Sequence, residues 1–275
     1  MPNRNSARQA ITHHRALFIS DLHLGAAGSK AHNILEFLKC CRAEAVYLVG
    51  DIFDLWCVGS VHWTSVHNEV VAELNRFSNE GAQLIYLVGN HDRYSIEAVQ
   101  KYLPTADFRE RAIHEAADNK TYLVMHGDQA DRRLFRWHFM TVLGSRLDAI
   151  LRGMDHRIAQ NRPRGQKKIF GHLVDSFTRI AAMGERFETR LVFAANNAGA
   201  DGVICGHSHR PGVRTHDGMI YANCGDWINS FTALTEDHKG QIELHWWCPE
   251  HAEVQRPAVA KPFSTAVGSG RPQEA

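Results

Sequence analysis

Residues 45–54 read AVYLVGDIFD, and the change of composition within this stretch decides the fold. Its first five residues are apolar and rich in β-branched and aromatic types, which predicts a buried strand. Gly50 ends the strand, and two carboxylates, Asp51 and Asp54, follow it. In open α/β sheets, ligands bind outside the carboxyl ends of the strands. We therefore expect a sheet whose strand ends carry the functional groups.

The same arrangement recurs at four other places in the chain. Amphipathic segments at 33–41 and 66–77 separate the first three apolar runs and predict crossover helices. Later runs at 219–222 and 241–247 predict antiparallel strands that close a second sheet. The pattern favours an α/β fold. The four further runs are 16–19, which stops at Asp21, 83–88, which stops at Asn90, 122–125, which stops at His126, and 202–205, which stops at His207.

Composition narrows the class of protein. The chain has 275 residues, 44% of them hydrophobic and 22% charged, which is typical of a globular domain with a substantial core. A net charge of +1 argues against a nucleic-acid partner. Six cysteines without a C-x-x-C pair predict thiols in a reducing compartment. Without a visible signal peptide or membrane span, we expect a cytoplasmic protein that can touch the membrane from its inner face.

Domain boundaries follow from changes in composition. Residues 1–14 predict a polar tail, residues 15–250 one domain, and residues 251–275, rich in Pro, Ala, Gly and Ser, a disordered tail. Within the domain, residues 129–200 combine apolar residues at helical spacing with many arginines. We expect a helical insertion over or beside the site, whose apolar stripe either lines an acyl-chain groove or packs on the core. The sequence leaves the oligomeric state open.

The strand ends carry carboxylate, imidazole and amide groups without thiolates, a ligand set that suits Mn, Fe or Zn. Asp51 has two oxygens and can bridge two ions. Two ions about 3.5–4 Å apart can hold a hydroxide at neutral pH and neutralise charge on a phosphoryl group. His91, with Asp54 as its partner, is a candidate general acid. The polar residues at each of the five strand ends form a short motif. Each motif alone is weak evidence, but the five in order predict hydrolysis of a phosphate ester or anhydride.

These five motifs resemble those of the calcineurin-like metallophosphoesterase superfamily. Its D-x-H, G-D-x-x-D, G-N-H-[DE], H and G-H-x-H blocks occur in order between Ser20 and Arg210. The resemblance implies a fold of two facing mixed β-sheets flanked by helices, here with a helical insertion. It also implies a role for each site residue. The first metal would be held by Asp21, His23, Asp51 and His209, the second by Asp51, Asn90, His126 and His207, and the catalytic pair would be His91 and Asp54.

Within the superfamily, the chain looks most like the UDP-2,3-diacylglucosamine pyrophosphohydrolases of lipid A synthesis. The motifs at 20–24, 50–56, 126–128 and 206–211 carry this likeness. It implies cleavage of UDP-2,3-diacylglucosamine to UMP and a lipid monophosphate, two manganese ions and a peripheral membrane contact. Those enzymes have arginine where this chain has His91, so a phosphodiesterase or phosphomonoesterase acting on nucleotides or other phosphate esters stays open. A nuclease is a weaker alternative, and an inactive scaffold would have lost ligands that are all present here.

Two groups of residues outside the motifs are candidates for supporting roles. Guanidinium groups match phosphate in bidentate fashion, so arginines of the insertion can bind a UDP moiety or an anionic head group, unless they form a solvated helix face. Asp226 follows a predicted strand and is either a carboxylate behind the metal ligands or part of a surface turn. The candidate substrate-binding residues are Arg132, Arg133, Arg136, Arg157 and Arg210.

Overall fold

The computed structural model describes residues 11–55, 61–130 and 185–247 of the chain. Strands and helices follow one another closely within these ranges. In chain order, they are β1 (Thr12–Ile19), α1 (Ala31–Cys40), β2 (Cys41–Val49), α2 (Ser65–Asn79), β3 (Gln83–Leu87), α3 (Ile96–Tyr102), β4 (Asp107–Arg109), β5 (Arg111–Glu115), β6 (Thr121–Met125), α4 (Glu185–Asn197), β7 (Gly202–Cys205), β8 (Gly212–His216), β9 (Met219–Asn223), β10 (Thr232–Glu236) and β11 (Ile242–Trp246).

These strands form two mixed sheets that face each other. The first sheet has the order β11-β10-β1-β2-β3-β4, and the second has the order β5-β6-β7-β9-β8. β1, β2 and β3 are parallel neighbours, as the β-α-β-α-β pattern predicted. A buried apolar layer between the sheets joins Phe18 and Val49 of the first sheet to Val124 and Ile204 of the second. The two-sheet sandwich expected from the sequence is confirmed.

Helices cover the outer faces of the sandwich. Along β1, Phe18 belongs to the layer between the sheets, whereas Leu17 and Ile19 belong to the layer beneath α1 and α2. The strand is therefore buried on both faces, which explains why its sequence is continuously apolar instead of alternating. On the other side, Leu191 and Ala195 of α4 are fully buried against the second sheet. Both predicted crossover helices are present as α1 and α2.

The last predicted strand lies in a different sheet from the one expected. Residues 241–247 contain β11, which pairs antiparallel with β10 at the edge of the first sheet. The reason is the tight turn before it, where Asp237 Oδ1 accepts the amides of Lys239 at 2.8 Å and Gln241 at 2.9 Å. Because β10 pairs with β1, this hairpin must continue the first sheet. By contrast, β9 does belong to the second sheet, between β7 and β8.

One predicted domain boundary shifts, and two predicted segments lie largely outside the described residues. β1 begins at Thr12 and pairs with Cys41 of β2 from that residue onward, so the end of the predicted tail at 1–14 belongs to the sheet. Most of the insertion predicted at 129–200 lies outside the described residues, as does the predicted tail at 251–275. The helix α4, at the C-terminal end of that insertion, packs on the second sheet, and its Phe187 lies beside the site, with its ring centre 5.9 Å from that of His207. No helix within the described ranges is long and apolar enough to cross a membrane.

Candidate metal centre

The predicted ligands gather at the edge where the parallel strands end. Asp21, Asp51 and Asn90 follow β1, β2 and β3 of the first sheet within three residues. His126 and His207 follow the parallel neighbours β6 and β7 of the second sheet in the same way. The sandwich therefore places the strand ends of both sheets around one site.

Six of the predicted ligands, together with His91, fall into three overlapping groups. Within each group, one ligand atom per residue lies within 4.8 Å of the others. The first group contains three of the four ligands expected for one ion, and the last group contains three of the four expected for the other. The middle group shares His23 with the first and Asp51 with the last. The groups are Asp21, His23 and His209; His23, Asp51 and His91; and Asp51, His126 and His207.

Five of these residues have an unusual backbone conformation. Each has a positive φ, between 49° and 64°, although none is glycine. Such a conformation costs a non-glycine residue on the order of 1–3 kcal/mol and is found mainly at functional sites. Here it turns the side chains at the strand ends inward, toward one another. The residues are Asp21, His23, Asp51, His207 and His209.

Two motif glycines make room for these side chains. Gly50 has φ +78°, and a Cβ there would lie 2.5 Å from the His126 ring. At Gly89, a Cβ would lie 2.3 Å from Asp51 Oδ1. A ring and a carboxylate thus approach the backbone more closely than any other residue type would allow.

His126 is oriented by a backbone carbonyl. Its Nδ1 lies 2.9 Å from the carbonyl oxygen of Val49, which can only accept a hydrogen bond. Nδ1 therefore donates, and Nε2 is directed to Asp51 Oδ2 at 3.3 Å. An outer acceptor on one ring nitrogen is the usual arrangement for an imidazole whose other nitrogen binds a metal.

Buried polar atoms without a hydrogen bond of good geometry indicate what the site binds. Asp21 Oδ1, Asn90 Oδ1 and His126 Nε2 are buried and make no hydrogen bond of good geometry. Asp21 Oδ1 does lie 3.0 Å from His209 Nε2, and His126 Nε2 lies 3.3 Å from Asp51 Oδ2, as ion-pair neighbours. Leaving a buried polar atom unsatisfied costs about 1–3 kcal/mol, more if it is charged. A divalent cation would complete all three atoms, and the donor types are those that divalent transition metals accept. The residues present therefore fit the divalent metal binding of the family that the motifs resemble.

Asp54 holds two histidines at once. Its Oδ1 lies 2.5 Å from Nδ1 of His91, and its Oδ2 lies 3.1 Å from Nδ1 of His23. Burial raises the pKa of Asp54, but the two histidines outweigh burial and hold that pKa well below its ordinary value. Burial lowers the pKa of His91, but Asp51 and Asp54 outweigh it and raise that pKa. His91 is thus kept in its charged form beside a carboxylate.

Asp92 ties two of the motifs together. Its Oδ2 accepts the amides of Asp51 at 2.7 Å and Gly89 at 2.9 Å, and its Oδ1 accepts the amide of Phe53 at 3.1 Å and the hydroxyl of Tyr86 at 2.6 Å. The side chain is fully buried. Asp92 is part of the third motif, but the sequence predicts no role for it. The signal in the sequence is that Asp92 is acidic and lies in a loop, where backbone amides have no neighbouring strand to bind.

The predicted substrate-binding arginines fall in two parts of the chain. Arg132, Arg133, Arg136 and Arg157 lie outside the described residues. Arg210 is exposed and directly follows the metal-ligand candidate His209.

Comparison of the sequence with known proteins assigns the chain to one family. The profile of the family described as Calcineurin-like phosphoesterase matches residues 14–211. The chain is 27% identical over 233 residues to a UDP-2,3-diacylglucosamine hydrolase of Neisseria meningitidis serogroup C, covering 80% of this chain and 92% of that protein. It is 25% identical over 245 residues to a protein of the same name from Haemophilus influenzae, covering 82% and 96%. Among solved structures, a phosphoesterase from E. coli aligns at 13% identity with a TM-score of 0.42, covering 85% of this chain and 99% of that one.

Proposed function

Since this chain belongs to the calcineurin-like phosphoesterases, which are metal-dependent hydrolases, we propose that it cleaves the pyrophosphate of UDP-2,3-diacylglucosamine. The products would be UMP and a lipid monophosphate. The observation that carries the chemistry is the convergence of Asp21, His23, Asp51, His126, His207 and His209 in overlapping groups of potential ligands. The substrate rests on relatives named UDP-2,3-diacylglucosamine hydrolase that match about four-fifths of the chain.

The site would hold two divalent ions. We propose manganese, with iron or zinc as alternatives, because the donors are oxygen and imidazole nitrogen without thiolate. When bound, such ions supply a hydroxide at neutral pH and neutralise charge on the phosphoryl oxygens. The proposed ligands of the first ion are Asp21, His23, Asp51 and His209, and those of the second are Asp51, Asn90, His126 and His207.

His91 and Asp54 would handle the proton. Asp54 holds Nδ1 of His91, so Nε2 is directed toward the ligand cluster, 3.9 Å from Asp51 Oδ2. A protonated imidazole in that position stabilises the charge that develops on the phosphoryl group and donates a proton to the leaving oxygen. Asp54 keeps the ring oriented and holds it in its charged form until the proton is transferred, which is why the pair acts as a unit.

Binding of the rest of the substrate is assigned to basic residues. We propose that Arg210, beside His209, contacts a phosphate of the substrate, together with Arg132, Arg133, Arg136 and Arg157. Guanidinium groups recognise phosphate oxygens in pairs. Acyl chains of a lipid substrate would bring the same insertion into contact with the membrane surface.

One residue favours a second candidate function. His91 stands where the lipid A enzymes that the chain resembles carry arginine. A site with histidine at this position suits general acid catalysis on simpler esters. The second candidate is therefore a phosphodiesterase or phosphomonoesterase acting on nucleotides or other phosphate esters.

A paired assay separates the two functions. Purified protein with Mn²⁺ is given UDP-2,3-diacylglucosamine and, separately, bis-p-nitrophenyl phosphate, with Asp51→Asn as the inactive control. Release of UMP far above aryl-ester cleavage supports the lipid-sugar hydrolase. Aryl-ester cleavage without UMP release would refute that substrate and leave the second candidate.

A further inference from the structure

A short turn after β9 is closed by a buried carboxylate. Asp226 is 1% exposed, and its Oδ1 accepts the amides of Ile228 at 2.8 Å and Asn229 at 2.6 Å. Its Oδ2 accepts the hydroxyl of Ser230 at 3.0 Å. One oxygen of Asp226 is thus committed to two backbone amides, while the other has a single hydroxyl donor.

The same turn touches two of the proposed ligands. The amide of Trp227 donates to the carbonyl oxygen of Asp21 at 3.1 Å. Asp226 Oδ2 lies 3.8 Å from Nδ1 of His209, and Nε2 of that ring lies 3.0 Å from Asp21 Oδ1. The imidazole of His209 therefore lies between two carboxylates. Its side chain is 35% exposed, against 8% for His23, so packing alone fixes it less firmly.

Two other ligand histidines have an acceptor on the same side, at hydrogen-bond distance. His23 has Asp54 at its Nδ1, and His126 has the carbonyl oxygen of Val49 at its Nδ1. In both cases an acceptor at Nδ1 leaves Nε2 to the proposed ion. Outer acceptors of this kind fix the tautomer of a metal-binding histidine and raise its basicity.

We propose that Asp226 is a positioning residue for His209, an inference that rests on the proposed metal centre. The negative charge of its Oδ2, 3.8 Å from Nδ1, favours the ring proton on Nδ1, so that the lone pair of Nε2 is directed to the ion shared with Asp21. The turn of Asp226 thereby links the last strands of the second sheet to the ligand set, through His209 and through Trp227 to Asp21.

The variant Asp226→Asn tests this role without removing the turn. Oδ1 must remain an oxygen because it accepts two backbone amides, so the new NH₂ group takes the place of Oδ2. That group presents an N–H to Nδ1 of His209 and favours the tautomer with its proton on Nε2. Since a ligand nitrogen must be deprotonated, binding of the ion at His209 is opposed. Ser230→Ala is the matched control, because it removes the hydroxyl from the same turn and leaves the carboxylate facing His209.

The experiment is a Mn²⁺ titration of metal-free, full-length protein, followed by calorimetry and by the spin-resonance signal of manganese. The proteins are the parent, Asp226→Asn, Ser230→Ala and His209→Ala. We expect Asp226→Asn to lose roughly 10–100-fold in affinity for one ion and to bind the other like the parent. Ser230→Ala should bind both ions like the parent, and the unfolding midpoints of the two metal-free turn variants should agree.

Two results would overturn the positioning role. One is parental affinity of Asp226→Asn for both ions, while His209→Ala loses one. The other is equal weakening in Asp226→Asn and Ser230→Ala together with lower unfolding midpoints, which would make Asp226 a turn-forming residue only. If the parent binds no Mn²⁺, or His209→Ala binds like the parent, the metal centre itself is refuted, and this pattern differs from both.

Discussion

Two buried polar clusters of this protein differ in how far their polar atoms are hydrogen-bonded. The first cluster lies away from the metal centre, around the fully buried Glu236 of β10. Its Oε1 accepts hydrogen bonds from Nη1 of Arg15 at 2.8 Å and from the amide of Ala117 at 2.7 Å. Its Oε2 lies 2.7 Å from Nε2 of His114. Glu236 pairs in register with Ala16, five residues before Asp21, or about 16 Å along an extended strand. Both carboxylate oxygens are satisfied, and the cluster joins the first sheet to β5 of the second.

The metal centre is the opposite case. Polar atoms of Asp21, Asn90 and His126 are buried without a hydrogen bond of good geometry, and five of its residues have a positive φ. A satisfied cluster stabilises the fold, whereas an unsatisfied one costs stability and gains it back when a ligand binds. The difference marks the first cluster as structural and supports the proposal that the second one binds a ligand.

The largest expected effect separates the two clusters by activity. His91→Ala should lower kcat by about 10²–10⁴-fold, because it removes the proposed general acid. The unfolding midpoint of the metal-free protein should fall less than in Glu236→Ala, since His23 still pairs with Asp54 after the His91 ring is lost. Steady-state kinetics beside thermal unfolding measure both. A kcat within about threefold of the parent would remove His91 from the mechanism.

The next largest effect is expected on stability and not on activity. Glu236→Ala leaves Arg15 and His114 without their carboxylate and should destabilise the fold by about 3–5 kcal/mol. Below the unfolding transition, kcat per folded molecule should stay at the parental value. Urea unfolding and an activity assay on the same samples test this, with Glu243→Ala on the exposed edge strand β11 as the control. A large loss of kcat in the folded protein would mean that the two clusters are coupled.

The pH dependence of stability sharpens the same contrast. Burial raises the pKa of Glu236, but hydrogen bonds from His114 and Ala117 outweigh it and hold that pKa below its ordinary value. The stability it contributes is therefore complete above the unfolded-state pKa and is lost as the pH falls through the lower folded-state pKa. In Glu236→Gln, the loss of stability between about pH 5 and pH 3 should be shallower than in the parent. Parallel curves for the two proteins would contradict this.

A smaller effect tests the close packing of the metal centre. Gly89→Ala places a Cβ 2.3 Å from Asp51 Oδ1, so the carboxylate must move. Overpacking of this kind costs about 1–3 kcal/mol and should also weaken Mn²⁺ binding. Gly212→Ala, where φ is not positive and a Cβ would meet only the flexible end of Arg214 at 3.3 Å, is a control for the glycine replacement itself. Parental Mn²⁺ affinity in Gly89→Ala would show that Asp51 tolerates the shift.

The smallest effect concerns protons at the metal centre. Burial lowers the pKa of His126, but Asp51 outweighs it and raises that pKa to about 10 in the absence of a metal. An ion must therefore displace a proton, and the affinity for Mn²⁺ should rise about tenfold per pH unit for each proton released. Calorimetry in buffers with different ionisation enthalpies counts these protons. Affinity independent of pH between 6 and 8 would contradict the prediction.

Much of the fold and of the candidate site was predictable from local sequence. Apolar runs such as 45–49 indicate buried strands, and the polar residues after them mark the strand ends. Since parallel strands end at one edge, Asp21 and Asp51 were expected to meet. The sheet that contains β11 was predicted wrongly, because strand pairing depends on the hairpin with β10, and an apolar run does not reveal its partner.

The sequence by itself determined which residues are available as ligands, and in what order along the chain. It also named Asp54 as the partner of His91 and left two alternatives for Asp226. Only the tertiary structure decided that Asp54 also binds His23, that the carbonyl oxygen of Val49 orients His126, and that Asp92 joins two loops. Glu236 and His114 are 122 residues apart in sequence, yet they meet between the sheets. The physical reason is that strand formation follows from short-range composition, whereas a buried hydrogen bond between distant residues exists only after the sheets have packed.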